Sequence, residues 1–332
     1  MDSINKSSGF TTIRGLVSGP QSLFTPLHLA ATLIALGVCA PVLALAWQAL
    51  HADLSHWQNL LRFVLPGAVL NTALLLAGVG LMVTVIGVGC AWAVTAWDFP
   101  GRRLLSWVLL LPLAMPTYIV AFAWLDLLHP IGPLQTAIRW LLGYDSPRQF
   151  RLPDLRSLSG AIVLLGLVLY PYVYLTTRAM FISQPASLLE AARTLGCSAT
   201  GAFFRVALPM ARPALAVGLS LALLETLNDI GASEFLGVQT LTVTVYTTWI
   251  TRSDLAAAAQ IACLMLVLIF AILSLEMYGR SQQGFSSRSS REIAPARVSG
   301  WRGGLLCTLI ALPVVLGFLA PVSFLAWESA KR

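Results

Sequence analysis

Seven stretches of the chain are apolar for long enough to cross a lipid bilayer: 28–50, 70–97, 104–128, 159–181, 213–236, 255–278 and 305–327. About 20 apolar residues, rising 1.5 Å each as a helix, cover a hydrocarbon core of roughly 30 Å. Inside that core every backbone N–H and C=O must find its partner within the chain, and a helix meets this demand locally. The sequence therefore reads as an all-α membrane protein, a polytopic helical bundle. Composition agrees: charged residues make up 11% of the chain, against about 25% in a soluble domain. The first apolar run begins late and is long enough to span, so it reads as a span and not as a cleaved signal.

The net charge of +7 does not point to nucleic acid. A nucleic-acid binder gathers Lys and Arg on one folded face, whereas here they sit in short segments between apolar runs. Assigning alternate segments to opposite sides of the membrane puts 13 of the 21 cations on the side of the N-terminus and of the 182–212 loop. Cytoplasmic loops carry the cationic excess, so that side is the cytoplasm. The five cysteines, Cys39, Cys90, Cys197, Cys263 and Cys307, have no paired spacing and lie mostly inside apolar runs, as small apolar side chains do. The four histidines form no ligand cluster.

Between the fourth and fifth runs lies EAARTLGCSATGAFFRVALP, residues 190–209. Two short helical pieces meet at Gly196; Phe203, Phe204 and Ala207 fall on one face of the second, with Arg205 off it, and Pro209 is expected to stop it. By pattern alone such an element rests on a membrane, fills a groove in a partner, or is an ordinary connecting loop. Its fixed positions, Glu190, Ala191, Ala192, Gly196, Val206, Leu208 and Pro209, resemble the cytoplasmic coupling loop of ATP-binding-cassette importer permeases. The segments PLAMPTYIVAFAWLD (112–126) and YPYVYLTTRAMF (170–181) are similar to the ferric iron permeases of that class.

The resemblance implies a permease of a bacterial inner membrane, with its loop seated in a cleft of a separate ATPase subunit. ATP and Mg would be bound by that partner. This chain holds no GxxxxGK[ST] phosphate loop and no HExxH, CxxC or Ser-His-Asp arrangement, so neither a cofactor nor catalysis is expected of it. A periplasmic solute-binding protein would deliver the cargo, and a second permease unit, in cis or as a homodimer, would complete the path. The largest outer loop, 129–158, carries four arginines and a short amphipathic piece near 134–142. It reads either as an interfacial helix with snorkelling arginines or, on the resemblance, as the docking surface for the solute-binding protein.

An internal repeat marks the end of the chain. TLIALGVCAPVLALAW (32–47) recurs as TLIALPVVLGFLAPVSFLAW (308–327); the copies are the first and seventh runs, an even number of steps apart, so they run the same way through the bilayer. The expected organisation is a cytoplasmic tail at 1–26, a six-span permease unit at 27–280 with its coupling loop at 182–212, a Ser-rich basic linker at 281–303, and the first span of a second unit at 304–332.

A transport path needs polar groups within the bilayer. The fifth run contains LLETLNDIGASEF; two carboxylates near a helix centre cost about 5–7 kcal/mol on insertion scales, which its Leu, Ile, Val and Phe residues offset by only about 3–6. Glu225 and Asp229 are four residues apart and share a face, so that face is expected to meet protein or water. With Asn228, Glu234, Asp126 at the outer end of the third run, and Tyr170, Tyr172 and Tyr174 in the fourth, they form the expected translocation path. Carboxylate and phenolate oxygens suit a hard trivalent cation. No firm metal site is expected, only transient contact at Glu225 and Asp229, because a carrier must release what it passes. Structural readings of the same residues are interhelical bonding for the carboxylates and interfacial anchoring for the tyrosines. Rival cargoes on the resemblance are thiamine, phosphonate and polyamine; a rival of another class is a proton-coupled carrier using Glu225 and Asp229.

Overall fold

The computed structural model describes residues 26–51, 58, 60–281 and 295–331. Residues 1–25 of the tail expected at 1–26, and 282–294 of the linker expected at 281–303, lie outside them. Helices follow the apolar runs: α1 (Pro26–Leu50), then α2 (Leu65–Ala96), entered through a π turn at Leu60–Val64. After the short strand β1 (Trp97–Asp98) come α3 (Arg102–Val108), a 3-10 turn at Leu111–Ala114, α4 (Thr117–Leu127) and α5 (Pro133–Leu142). The long α6 (Leu158–Ser183) leads to α7 (Ala186–Thr194) and α8 (Ala199–Ala202), which runs through a π turn at Phe203–Ala207 into α9 (Leu208–Met210). Then follow α10 (Arg212–Asn228), α11 (Gly231–Phe235), α12 (Leu241–Tyr246) and α13 (Leu255–Ser281). After β2 (Ala296–Arg297), which pairs in parallel with β1, the last apolar run forms α14 (Trp301–Val314), a π turn at Val315–Leu319 and α15 (Ala320–Ala330).

By length and composition, five unbroken helical stretches among the described residues are fit to cross a membrane, and two bent pairs raise this to seven. The first bent pair is the third run. Arg102–Ala114 and Thr117–Leu127 meet at 93°, because Pro112 and Pro116 carry no N–H and break the ladder. The fifth run also differs from expectation. It does not continue to 236 but ends at Asn228, where Asp229 turns to ψ 105° and the chain restarts as α11.

α2, α6 and α10 form the centre of the bundle. Helices draw together in lipid by close packing and not by the hydrophobic effect, so small residues mark the contacts. A Cβ at Gly218 of α10 would lie 2.8 Å from the carbonyl oxygen of Tyr172 in α6. α13 covers α10 from the far side, and α1 lies along α13.

The bends release carbonyls, and buried side chains take them up. Leu110 N–H bonds Trp107 O and Leu113 N–H bonds Leu110 O, which leaves the Ser106 and Leu109 carbonyls outside the helical ladder. Tyr174 Oη donates to Ser106 O at 2.8 Å and Tyr170 Oη to Leu109 O at 2.9 Å. Pro171, inside α6, likewise leaves Leu167 O without its N–H. The last run seats against α4 and α6: Gly317 lies over Leu167 O, close enough that a Cβ would sit 2.4 Å away. Trp124 Nε1 donates to Leu316 O at 3.0 Å. The two copies of the repeat thus meet different surroundings, α1 against α13 and the later copy against α4 and α6.

Gly218→Val drives a branched side chain into the α6 backbone. It is expected to destabilise the bundle by about 1–3 kcal/mol, read as an earlier thermal midpoint of the purified protein in detergent; an unchanged midpoint would contradict the packing.

Candidate functional site

Two features stand out, at different ends of the same helices. The first is a cavity of about 340 Å³ where the bend before α4 meets the break after α10. Its polar wall is Thr117, Tyr118, Tyr172, Glu225, Asn228 and Asp229, and its apolar wall includes Leu113, Met115 and Val168. No Lys, Arg or His lines it.

Asp229 holds the two breaks together. Its Oδ1 accepts the Ala232 N–H at 2.7 Å, at the start of α11, and its Oδ2 accepts the Thr117 hydroxyl at the start of α4. The backbones are close there as well: a Cβ on Gly231 would stand 2.8 Å from Tyr118 Cβ. Where α10 ends, the Thr242 hydroxyl takes up Leu227 O. Glu225, one turn earlier on α10, is exposed, interacts with the Tyr172 hydroxyl, and has no cationic partner among the described residues. So the two carboxylates differ in role: Asp229 is engaged by the protein on both oxygens, and Glu225 faces open space.

The structure brings together only part of the expected path. Tyr172, Glu225, Asn228 and Asp229 line the cavity; Tyr170 and Tyr174 do not. Both are fully buried with their hydroxyls on α3-side carbonyls, since alternate residues on a helix face different ways. Asp126 and Glu234 are exposed and outside the cavity. Thr117 and Tyr118 were not singled out from sequence; their position after Pro116, within a run already marked by paired prolines, is the signal that could have found them. Among the described residues no group of three or more His, Cys, Asp or Glu side chains is placed to hold a metal ion.

The second feature is the loop between α6 and α10. α7 carries Glu190, Ala191 and Ala192, and Gly196 ends it at φ 87°, a left-handed turn that favours glycine. Ser198 then caps α8 by accepting the Gly201 N–H at 3.1 Å. The second piece runs as one helix from Ala199 to Met210, one residue past Pro209, and the chain then bends by 69° into α10.

The loop is anchored on one side and open on the other. Phe203 packs on Trp92 at 5.0 Å between ring centroids, Ala207 is fully buried, and Gln184 Nε2 donates to Ala207 O at 2.9 Å, tying the loop's entry to its exit. Leu188, Leu195, Phe204, Glu190 and Ala191 are exposed, with Leu195 at 86% and Phe204 at 59%. Val206 and Leu208 are half-buried, and Ala192 is buried. The piece is a firmly seated platform whose outer surface mixes apolar side chains, Leu188, Leu195 and Phe204, with the charged Glu190, Arg193 and Arg205.

A polytopic bundle with a polar cavity between broken helices and an exposed platform at one end is what a membrane transport subunit needs. The chain belongs to the family described as binding-protein-dependent transport system inner membrane component, which it matches over residues 83–287. It is 31% identical over 230 residues to the putative 2-aminoethylphosphonate transport system permease protein of Salmonella paratyphi A, covering 68% of this chain and 78% of that one. An Fe(3+)-transport system permease protein of Haemophilus influenzae is 24% identical over 252 residues, 76% of this chain and 45% of that one. A molybdenum transport system permease of Escherichia coli is 31% identical over 147 residues, 44% of this chain and 61% of that one. The fold is also that of a chain in the crystal structure of a bacterial alginate ABC transporter bound to its periplasmic protein, with a TM-score of 0.61 at 18% identity, covering 76% of this chain and 91% of that one. The chain is thus an importer permease of the ABC class, and its relatives are permeases, not enzymes.

In a double-mutant cycle of Thr117→Val and Asp229→Asn, the two substitutions should be non-additive by about 0.5–3 kcal/mol, read from thermal unfolding. Additive effects would show that the bond between the two breaks carries no energy.

Proposed function

We propose that this permease carries ferric iron, received from a periplasmic solute-binding protein and released into the cytoplasm. The observation that supports the cargo is the sign of the cavity: two carboxylates, two phenols, an amide and a hydroxyl, with no cationic side chain. A sulfate or molybdate ion entering it would meet Glu225 and Asp229 with nothing to offset their charge, and like charges in a partly dehydrated site repel strongly. A hard cation finds oxygen donors there. Glu225 and Tyr172 make transient contact, and Asp229 keeps the cavity's shape.

The path is half of one. Glu225 and Asn228 face outward from this chain, so a second unit, in cis or as a homodimer, closes the other side. ATPase subunits bind the platform formed by residues 186–210 on the cytoplasmic side, which also holds the N-terminus, and they bind ATP and Mg. Their closure moves the platform, and α6 and α10, which flank it, transmit the movement to the bends beside the cavity. The loop between α4 and α6 receives the solute-binding protein on the opposite face.

A second reading has its own support. The chain's greater identity to the 2-aminoethylphosphonate permease fits a cargo whose ammonium group faces Glu225 while its phosphonate stays toward the second unit. Uptake by vesicles holding the permease, its ATPase and its solute-binding protein separates these readings. Radiolabelled ferric iron should accumulate with ATP, and Glu225→Gln should lower the rate at least tenfold while ATPase binding is kept. Uptake of 2-aminoethylphosphonate without iron would favour the second reading, and uptake of sulfate or molybdate would sink both.

A further inference from the structure

We infer that α5 lies in the headgroup region of the bilayer, at the end of the bundle opposite the 186–210 platform, with its outer face turned to phospholipid. The inference goes beyond the importer reading and does not depend on the cargo. α5 is amphipathic, and its seating is inverted relative to a helix on a water-facing surface. Gln135 and Arg139, one turn apart, are buried on its inner face, Arg139 at 5% exposure. The outer face carries Ala137, Trp140 and Leu141, all exposed, with Trp140 at 83%. Ile131 just before the helix and Leu142 at its end are exposed as well.

The buried polar groups fix this orientation. Gln135 Nε2 donates to Leu128 O beside the end of α4, and its Oε1 accepts the Leu152 N–H at 3.1 Å on the approach to α6. Arg139 Nη2 donates to the Thr136 hydroxyl at 3.1 Å. Rolling the apolar face inward would break both Gln135 bonds, so that face stays out. Depth then decides what covers it. α4, within the bent third run, and α6 are apolar enough to cross a membrane, and only residues 128–132 separate α4 from α5. α5 therefore starts where the bilayer ends. An apolar helix face at that boundary is covered by acyl chains, with the Trp140 indole N–H left for the headgroups. The cavity that a second unit closes is elsewhere: it lies at the start of α4, about 15 Å of helix from the end that leads into α5.

The test uses the permease–ATPase assembly in phosphatidylcholine nanodiscs, with no solute-binding protein present. A prodan-type fluorescent amino acid replaces Trp140, Leu141 or Arg148, one at a time; Arg148 is exposed in the turn beyond α5 and serves as the aqueous reference. Phosphatidylcholine brominated on its acyl chains should quench positions 140 and 141 at least twofold more than 148. Iodide in the buffer should quench 148 at least twofold more than 140 and 141. Iodide quenching at 140 and 141 equal to that at 148 puts the face in water and overturns the inference. Protection of 140 and 141 from both quenchers overturns it too, because a protein surface then covers the face.

Discussion

Within a bilayer a carbonyl released from its helix has no water to turn to, and the architecture of this bundle follows from how such carbonyls are satisfied. Paired prolines bend the third run by 93°, and ahead of the bend the ladder tightens to i→i+3 bonds, which frees the Ser106 and Leu109 carbonyls that Tyr174 and Tyr170 bind. Unsatisfied, each group would cost several kcal/mol. The bent run is thereby fixed to α6, the helix at the middle of the core. The same logic places the last run, where Trp124 bonds Leu316 O: in a π turn that carbonyl would look five residues on, to Pro321, which has no N–H.

These bends also make the site. A straight third run and an unbroken fifth run would close against each other; the turn at Pro116 and the break at Asp229 open a cavity between them, and the Asp229–Thr117 bond keeps the two breaks in register. α6 and α10 then run from the cavity to either end of the 186–210 platform. The two helices are in direct contact and pack closely at Gly218.

Much of this was legible in the chain. The apolar runs gave the helices, and the residues around Gly196 gave the loop, because a left-handed turn between two amphipathic pieces leaves a local signature. What was not legible is the division of labour among polar residues. Tyr170, Tyr172 and Tyr174 look alike in sequence, yet only Tyr172 reaches the cavity. The other two answer to carbonyls freed some 60 residues away, a debt invisible to local pattern. Glu225 and Asp229 share a face by spacing, but the helix ends between them and gives them different partners.

The central claim is that a cytosolic engine grips the platform around Gly196. Site-specific photo-crosslinking tests it most directly, with benzoylphenylalanine placed at 195 or 204, both exposed, or at 140 on α5 as the control for the opposite face. In intact membranes containing the whole assembly, positions 195 and 204 should capture the ATPase subunit, and position 140 should not. Capture of the ATPase from 140, or of a periplasmic protein from 195 and 204, would contradict the account.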